Sequence, residues 1–142
     1  MRRKLKVLYF MLFVGFNLIA QNDYHSSIRV EKMLHTDTTT VGQGLDFQQL
    51  KCNEVEMSKV VIPPGDSTKW HKHLRPVFAS ILQGTLTVKY DNGRKNHFQT
   101  GDSFAEAIDM YHNGINTGKV DLIILAVYIT QKGEPLTIMK EN

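Results

Sequence analysis

The chain has little of what would staple, punctuate or polarise it. It carries one cysteine, Cys52, so no internal disulfide can form and the core must be built by packing; the thiol itself reads as a buried packing group. No segment of ten or more residues after the first twenty keeps a helical apolar period, which argues against a helical fold. There are no repeats, no low-complexity tracts and no linker that would divide two domains. Nor is there a nucleophile elbow or a Cys/His pair, which removes the commonest routes of covalent catalysis.

Charge of one sign is scarce too, once the N-terminus is set apart. Arg2, Arg3, Lys4 and Lys6 precede an apolar run from Val7 to Ala20, followed by Gln21, Asn22 and Asp23, the pattern of a secretory signal cleaved after Ala20. The run is shorter than the ~20 residues a spanning helix needs, so a stable membrane anchor is not expected. The expected destination is the periplasm or the exterior. Without residues 1–20, 13 basic residues face 14 acidic ones, against 17 and 14 in the whole chain. A near-neutral chain with no basic run argues against nucleic acid or an anionic membrane as partner. Residues 21–142 form one domain, large enough for a single core.

What is there is β-type sequence broken by turns. Strands are expected at Val55 to Ile62, Val77 to Leu82, Thr85 to Tyr90, Arg94 to Gln99, Ser103 to Ala107, Asp121 to Thr130 and Leu136 to Met139. Asp121 to Thr130 is apolar enough to be buried on both faces. Asn92-Gly93 suits a type I′ hairpin turn. Ile28 to Leu34 and Leu45 to Leu50 are further strand candidates around a polar loop. Short, evenly spaced strands predict an all-β barrel or two-sheet sandwich, which protects strand edges and encloses a pocket.

Two histidines lie on one face of such a strand. His71 and His73, in Lys69-Trp70-His71-Lys72-His73, are two residues apart, so both imidazoles can reach one ion without backbone distortion. His112, in a second turn-bounded segment, is the natural third donor if the segments face each other. Neutral imidazoles suit divalent first-row metals, and iron, manganese, nickel, copper and zinc are all compatible. His25, His35 and His97 read as solvated.

These residues carry a resemblance to the cupins. Gly65, His71, His73 and Gly84 match the spacing of the first cupin motif, and Gly101, His112 and Asn116 that of the second; the likeness covers residues 55–130. Val77 stands where the first motif has its glutamate ligand, and Ala107 and Asp109 replace the proline and glycine of the second. Glu106, beside Ala107, is the substitute acid, either a fourth ligand or a group just behind the ligands. The resemblance implies a single-domain double-stranded β-helix, a jelly-roll barrel, in which His71, His73, His112 and Glu106 hold a divalent metal and Glu106 moves a proton. It also implies a small-molecule ligand or substrate and a homodimer. Activity of dioxygenase, isomerase or hydrolase type stands beside a non-catalytic module binding a sugar or an organic acid, since one fold hosts many functions.

Among the neighbours of these residues, Trp70 and Tyr111 are expected to point outward and pack. Val77, Ala79 and Ile81 are expected to form an apolar pocket wall, with Phe104 on the face of Glu106. Asn116 is expected to hold a turn. Arg75 is expected to be an exposed cation, or else to pair with Glu106 or an acidic substrate.

Overall fold

In a computed structural model of the chain, residues 28–141 are described. The expected signal at 1–20, and His25, lie outside them. Residues 28–31 have no regular secondary structure and belong to a separate unit from 32–142, the body described below. Among the described residues no helix is long and apolar enough to cross a membrane.

Nine strands and one short helix make up this body: α1 (Phe47–Leu50), β1 (Glu54–Ile62), β2 (His71–Lys72), β3 (Val77–Gln83), β4 (Thr85–Tyr90), β5 (Lys95–Gln99), β6 (Ser103–Ala105), β7 (His112–Asn116), β8 (Leu122–Thr130) and β9 (Ile138–Met139). They form two antiparallel sheets, a four-stranded one in the order β1-β8-β3-β6 and a five-stranded one in the order β5-β4-β7-β2-β9. The all-β jelly-roll expectation holds.

Alternation decides what lies between the sheets. On β3, Val77, Ala79 and Ile81 are buried while Phe78 and Ser80 are half-buried; on β8, Leu122, Ile124 and Ala126 are buried and their neighbours are not. Strand β8 is therefore fully buried on one face only. From β4 come Leu86, Val88 and Tyr90, and from β6 Phe104, which stacks on Phe98 with ring centroids 3.8 Å apart. The same rule on β7 buries His112, Gly114 and Asn116. A pattern that elsewhere builds the core here delivers a histidine to the interior.

The chain passes from one sheet to the other at Gly84, between β3 and β4. Its φ is +92°, and a Cβ there would come within 3.0 Å of the Leu122 Cα, so both the backbone conformation and the close approach require glycine. Asn116 closes a second corner. Buried among backbone groups, its amide nitrogen donates to the carbonyls of Ile62 and Val120, and its Oδ1 accepts from the Gly118 N–H.

Several local expectations are corrected. Leu45 to Leu50 contains helix α1 rather than a strand, because Asp46 caps it by accepting from the Gln48 and Gln49 N–H groups, and 28–34 forms no strand. The β4–β5 hairpin is not type I′: its loop is the three residues Asp91-Asn92-Gly93. Only Gly93 has positive φ, and its N–H donates to the Tyr90 carbonyl, the turn with a left-handed glycine that three-residue loops favour. Strand in the 69–73 segment is confined to His71 and Lys72, with an isolated bridge at His73, and the left-handed φ of +61° at Lys69 keeps the strand from starting earlier. Cys52 is half-buried, its thiol directed at the Leu50 carbonyl.

Candidate metal centre

His71 on β2 faces His112 on β7 in direct register, and ring centroids are 4.5 Å apart. Alternation brings His73 to the same side, where its backbone bridges to Ile108, and its ring lies 5.0 Å from His71 and 5.2 Å from His112. Glu106 follows β6, its N–H donating to the Val77 carbonyl. The Asp109 N–H donates to the His73 carbonyl, and Lys72 binds the Asp109 carboxylate at 2.6 Å, so the 71–73 and 106–112 segments are locked together. One potential ligand atom from each of His71, His73, Glu106 and His112 lies within 4.8 Å of all the others. The residues singled out from the sequence do converge.

The orientation of the rings matters more than their proximity. Each histidine uses Nδ1 to donate to a backbone carbonyl: His71 to Lys69 at 3.0 Å, His112 to Met110 at 2.9 Å and His73 to Leu136 at 2.7 Å. With Nδ1 donating, Nε2 is the nitrogen that each ring aims at the centre, and the carbonyl fixes the ring plane; where Nε2 also carries a proton toward Glu106, a bound ion would take that proton's place. The Nε2 atoms of His112 and His73 meet Glu106 Oε2 at 3.0 and 3.2 Å. Three oriented imidazole nitrogens and one carboxylate are the donor set of a divalent first-row cation, and these residues fit one.

Burial and charge set the protonation states. All three histidines are buried, and Glu106 keeps 19% of its side chain exposed. Burial pushes the His71 imidazolium down to a pKa of about 4, keeping the ring neutral and able to ligate. Burial alone would raise the Glu106 carboxyl. Hydrogen bonds from His112 and His73 outweigh it and hold the group well below the usual carboxylate range, so it is an anion. The His112 ring is depressed by burial but raised overall by its contact with Glu106.

A cavity of about 170 Å³ opens over the four side chains. One side is aliphatic, with Val60, Leu86, Val88, Ile124 and Ala126; Tyr128, Thr68 and Thr137 add hydroxyls. The expected wall of Val77, Ala79 and Ile81 is corrected. Ala79 and Ile81 pack in the core, Val77 is buried beside Pro76, and Phe104 is committed to Phe98; the neighbouring strand β8 supplies the lining in their place, through Ile124, Ala126 and Tyr128. Sequence reasoning missed Tyr128, whose ring packs edge-on against His73 with centroids 5.7 Å apart. Its parity with Leu122, Ile124 and Ala126 is the signal that would have found it. Thr137 and the Leu136 carbonyl had no signal at all.

The remaining neighbours are placed as follows. Arg75 is neither exposed nor near the cavity: it binds Glu134 through two nitrogens at 2.8 and 2.7 Å, Gln131 at 3.2 Å and the Leu50 carbonyl. Trp70 and Tyr111 stay outside the cavity, as expected, under the Lys140 ammonium at 5.7 and 5.3 Å. His97 is exposed and pairs with Thr87, and His35 is exposed.

The comparisons with known proteins follow this geometry. No curated protein matches the chain. Among solved structures, Lactobacillus farciminis oxalate decarboxylase in a formate complex is 27% identical with a TM-score of 0.54, over 60% of this chain and 26% of that one. Oxalate oxidase in complex with the substrate analogue glycolate is 20% identical with a TM-score of 0.52, over 60% of this chain and 45% of that one. A Klebsiella pneumoniae protein with a double-stranded β-helix domain is 19% identical with a TM-score of 0.54, over 63% of this chain and 77% of that one. The chain thus spans less than half of the oxalate oxidase and about a quarter of the decarboxylase. The family described as "Cupin domain" matches residues 58–128, half of the chain and the segment holding all four converging side chains, and the chain belongs to this family.

Proposed function

We propose that this protein is an exported cupin that holds a divalent metal ion through His71, His73, His112 and Glu106 and acts on a small molecule in the cavity above them. The observation that carries this reading is the common orientation of the three rings, each tied through Nδ1 to a carbonyl so that Nε2 is left for the ion. Buried histidines that merely filled space would have no reason to share one Nδ1 anchoring and one focus.

When bound, such an ion supplies a Lewis acid that binds and polarises an oxygen of the substrate. The chain's own residues do the rest. Glu106, ionised and reachable from the cavity, accepts a proton at a carboxylate oxygen. The Tyr128 phenol is held protonated by burial and by the nearby charge of Glu106, so it offers a hydrogen-bond donor to a substrate oxygen. The aliphatic side excludes water. A polarised substrate oxygen, a proton acceptor and a phenol donor can serve isomerase, dioxygenase or hydrolase chemistry, the last requiring that water still reach the ion, and the activities printed for the oxalate enzymes are instances of small-acid chemistry on the same fold. A second reading is favoured by the lining itself, which contains no serine, cysteine or lysine: a binding module for a small sugar or organic acid, without turnover.

The expected setting is the periplasm or the exterior, with no nucleic-acid partner. A homodimer is supported by exposed apolar side chains on the outer face of β1, where Val55 and Met57 are more than 60% exposed.

Metal analysis of the purified protein tests the centre. We expect about one ion per chain and a fall of more than about 100-fold in affinity for His71→Ala/His73→Ala; equal metal content in the variant removes the proposal. Glu106→Gln separates enzyme from binder. Assayed with saturating metal, because losing the carboxylate weakens the ion's hold, an enzyme loses turnover while still binding ligand, whereas a binder has no turnover to lose.

A further inference from the structure

The cavity wall carries information that the metal centre does not. Across from the histidines the four-stranded sheet supplies Val60, Ile124 and Ala126, β4 next to β7 adds Leu86 and Val88, and among the described residues no lysine or arginine lines the cavity. Two cations close in sequence to the site histidines are engaged outside it, Lys72 by Asp109 at 2.6 Å and Arg75 by Glu134 at 2.7 Å. The charged side chain that does face the cavity apart from the imidazoles is Glu106, an anion.

We infer that the cavity selects a small ligand with a single acidic or chelating head and an apolar body, and rejects ligands with a second carboxylate at the far end. This rests on the metal reading above and adds the ligand class. A divalent ion held by three neutral imidazoles and one carboxylate has a net charge of about +1, which one anionic head neutralises. A second carboxylate placed on the aliphatic side is stripped of water and meets no donor or cation, and Glu106 repels it. The hydroxyls of Tyr128, Thr68 and Thr137 lie in the lining but carry no charge; Thr68 is already engaged, accepting from the Gly114 N–H and donating to the Lys69 carbonyl. At about 170 Å³ the cavity has room for roughly five or six waters, so the ligand has only a handful of carbon atoms.

The test uses pairs of probes that differ only at the far end: butanoate against succinate, and 2-oxopentanoate against 2-oxoglutarate. Oxalate is unsuitable, since both of its carboxylates reach the ion. Metal content is measured first on the full protein by mass spectrometry, and calorimetric titration of the loaded protein then gives each affinity. We expect the monocarboxylate of each pair to bind at least tenfold tighter than its dicarboxylate partner. In Val60→Lys, which places a cation on the half-buried inner side of edge strand β1, we expect the preference to narrow or reverse. A protein that takes up no ion overturns the metal reading together with this inference. A protein that takes up the ion but binds the dicarboxylates equally or better overturns the inference alone, as does a folded Val60→Lys whose preference is unchanged. If that variant does not fold, the wild-type series decides.

Discussion

The two sheets of this barrel both turn apolar side chains inward, but the site histidines come from the five-stranded one, whose β4 also buries Leu86, Val88 and Tyr90. The five-stranded sheet turns His71 and His112 inward from adjacent strands, with His73 just beyond the end of β2. Facing it, the four-stranded sheet turns in Val60, Ile124 and Ala126 at the cavity and Ile81 and Leu122 beneath it. Their outer faces differ as well. Val55, Met57 and Val61 of the four-stranded sheet lie exposed, whereas β4 and β5 present Lys89, Lys95, His97 and Gln99. The contrast teaches that the imidazoles come from one sheet while apolar packing is supplied by both, with Tyr128 of β8 and Glu106 after β6 completing the site from the other side. Burying imidazoles and a carboxylate opposes folding unless each is hydrogen-bonded, as these are, and the apolar packing around them offsets the rest.

The largest effect that sharpens this division is expected from Ile81→Ala. The side chain is 2% exposed and packs beside the lining residue Ile124 without itself lining the cavity, on a strand that pairs with neither β2 nor β7, so its truncation should cost about 2–5 kcal/mol in urea denaturation while metal stoichiometry stays unchanged. Loss of metal at unchanged stability would break the comparison. Next comes Arg75→Ala. Arg75 holds Glu134 and Gln131, just before Leu136, whose carbonyl fixes His73. Because the ion pair is partly exposed, stability should fall by about 1 kcal/mol or less, but metal affinity should fall about tenfold as the Leu136 carbonyl loses its position. An unchanged affinity would show that the C-terminal segment only covers the site. The smallest effect on folding is expected from Met57→Lys, at 65% exposure within about 0.5 kcal/mol of the parent. Light scattering should then report a lower mass than for the parent if that face joins two copies, and an unchanged mass would place any pairing elsewhere.

Much of the fold was legible because period-2 burial is written residue by residue. Strands β1, β3, β4 and β5 lie within one residue of their expected limits, and the i, i+2 spacing of His71 and His73 put both rings on the inner side although only His71 and Lys72 pair as strand. The position of Glu106 beside the Ala107 of the second motif pointed to it as the acid nearest His112. What was misread fails for a physical reason in each case. The capped turn at Asp46 and the left-handed Gly93 are local hydrogen-bonding choices that compete with β propensity. The pocket wall was assigned to the strand that lost the motif glutamate, but which of two neighbouring strands lines the cavity is not encoded in parity.

The sequence by itself determined which residues face inward, because alternation is a property of the extended backbone and needs no partner. It thereby turned His71, His73 and His112 to one side, while Glu106, which follows β6, was marked by its place beside Ala107. Only the tertiary structure decided how those donors are aimed. The carbonyl that fixes His73 belongs to Leu136, 63 residues away, and the partner of Arg75 to Glu134, 59 residues away. Such contacts exist only once both sheets have closed, since backbone carbonyls are the same in every residue and acquire their meaning from position alone.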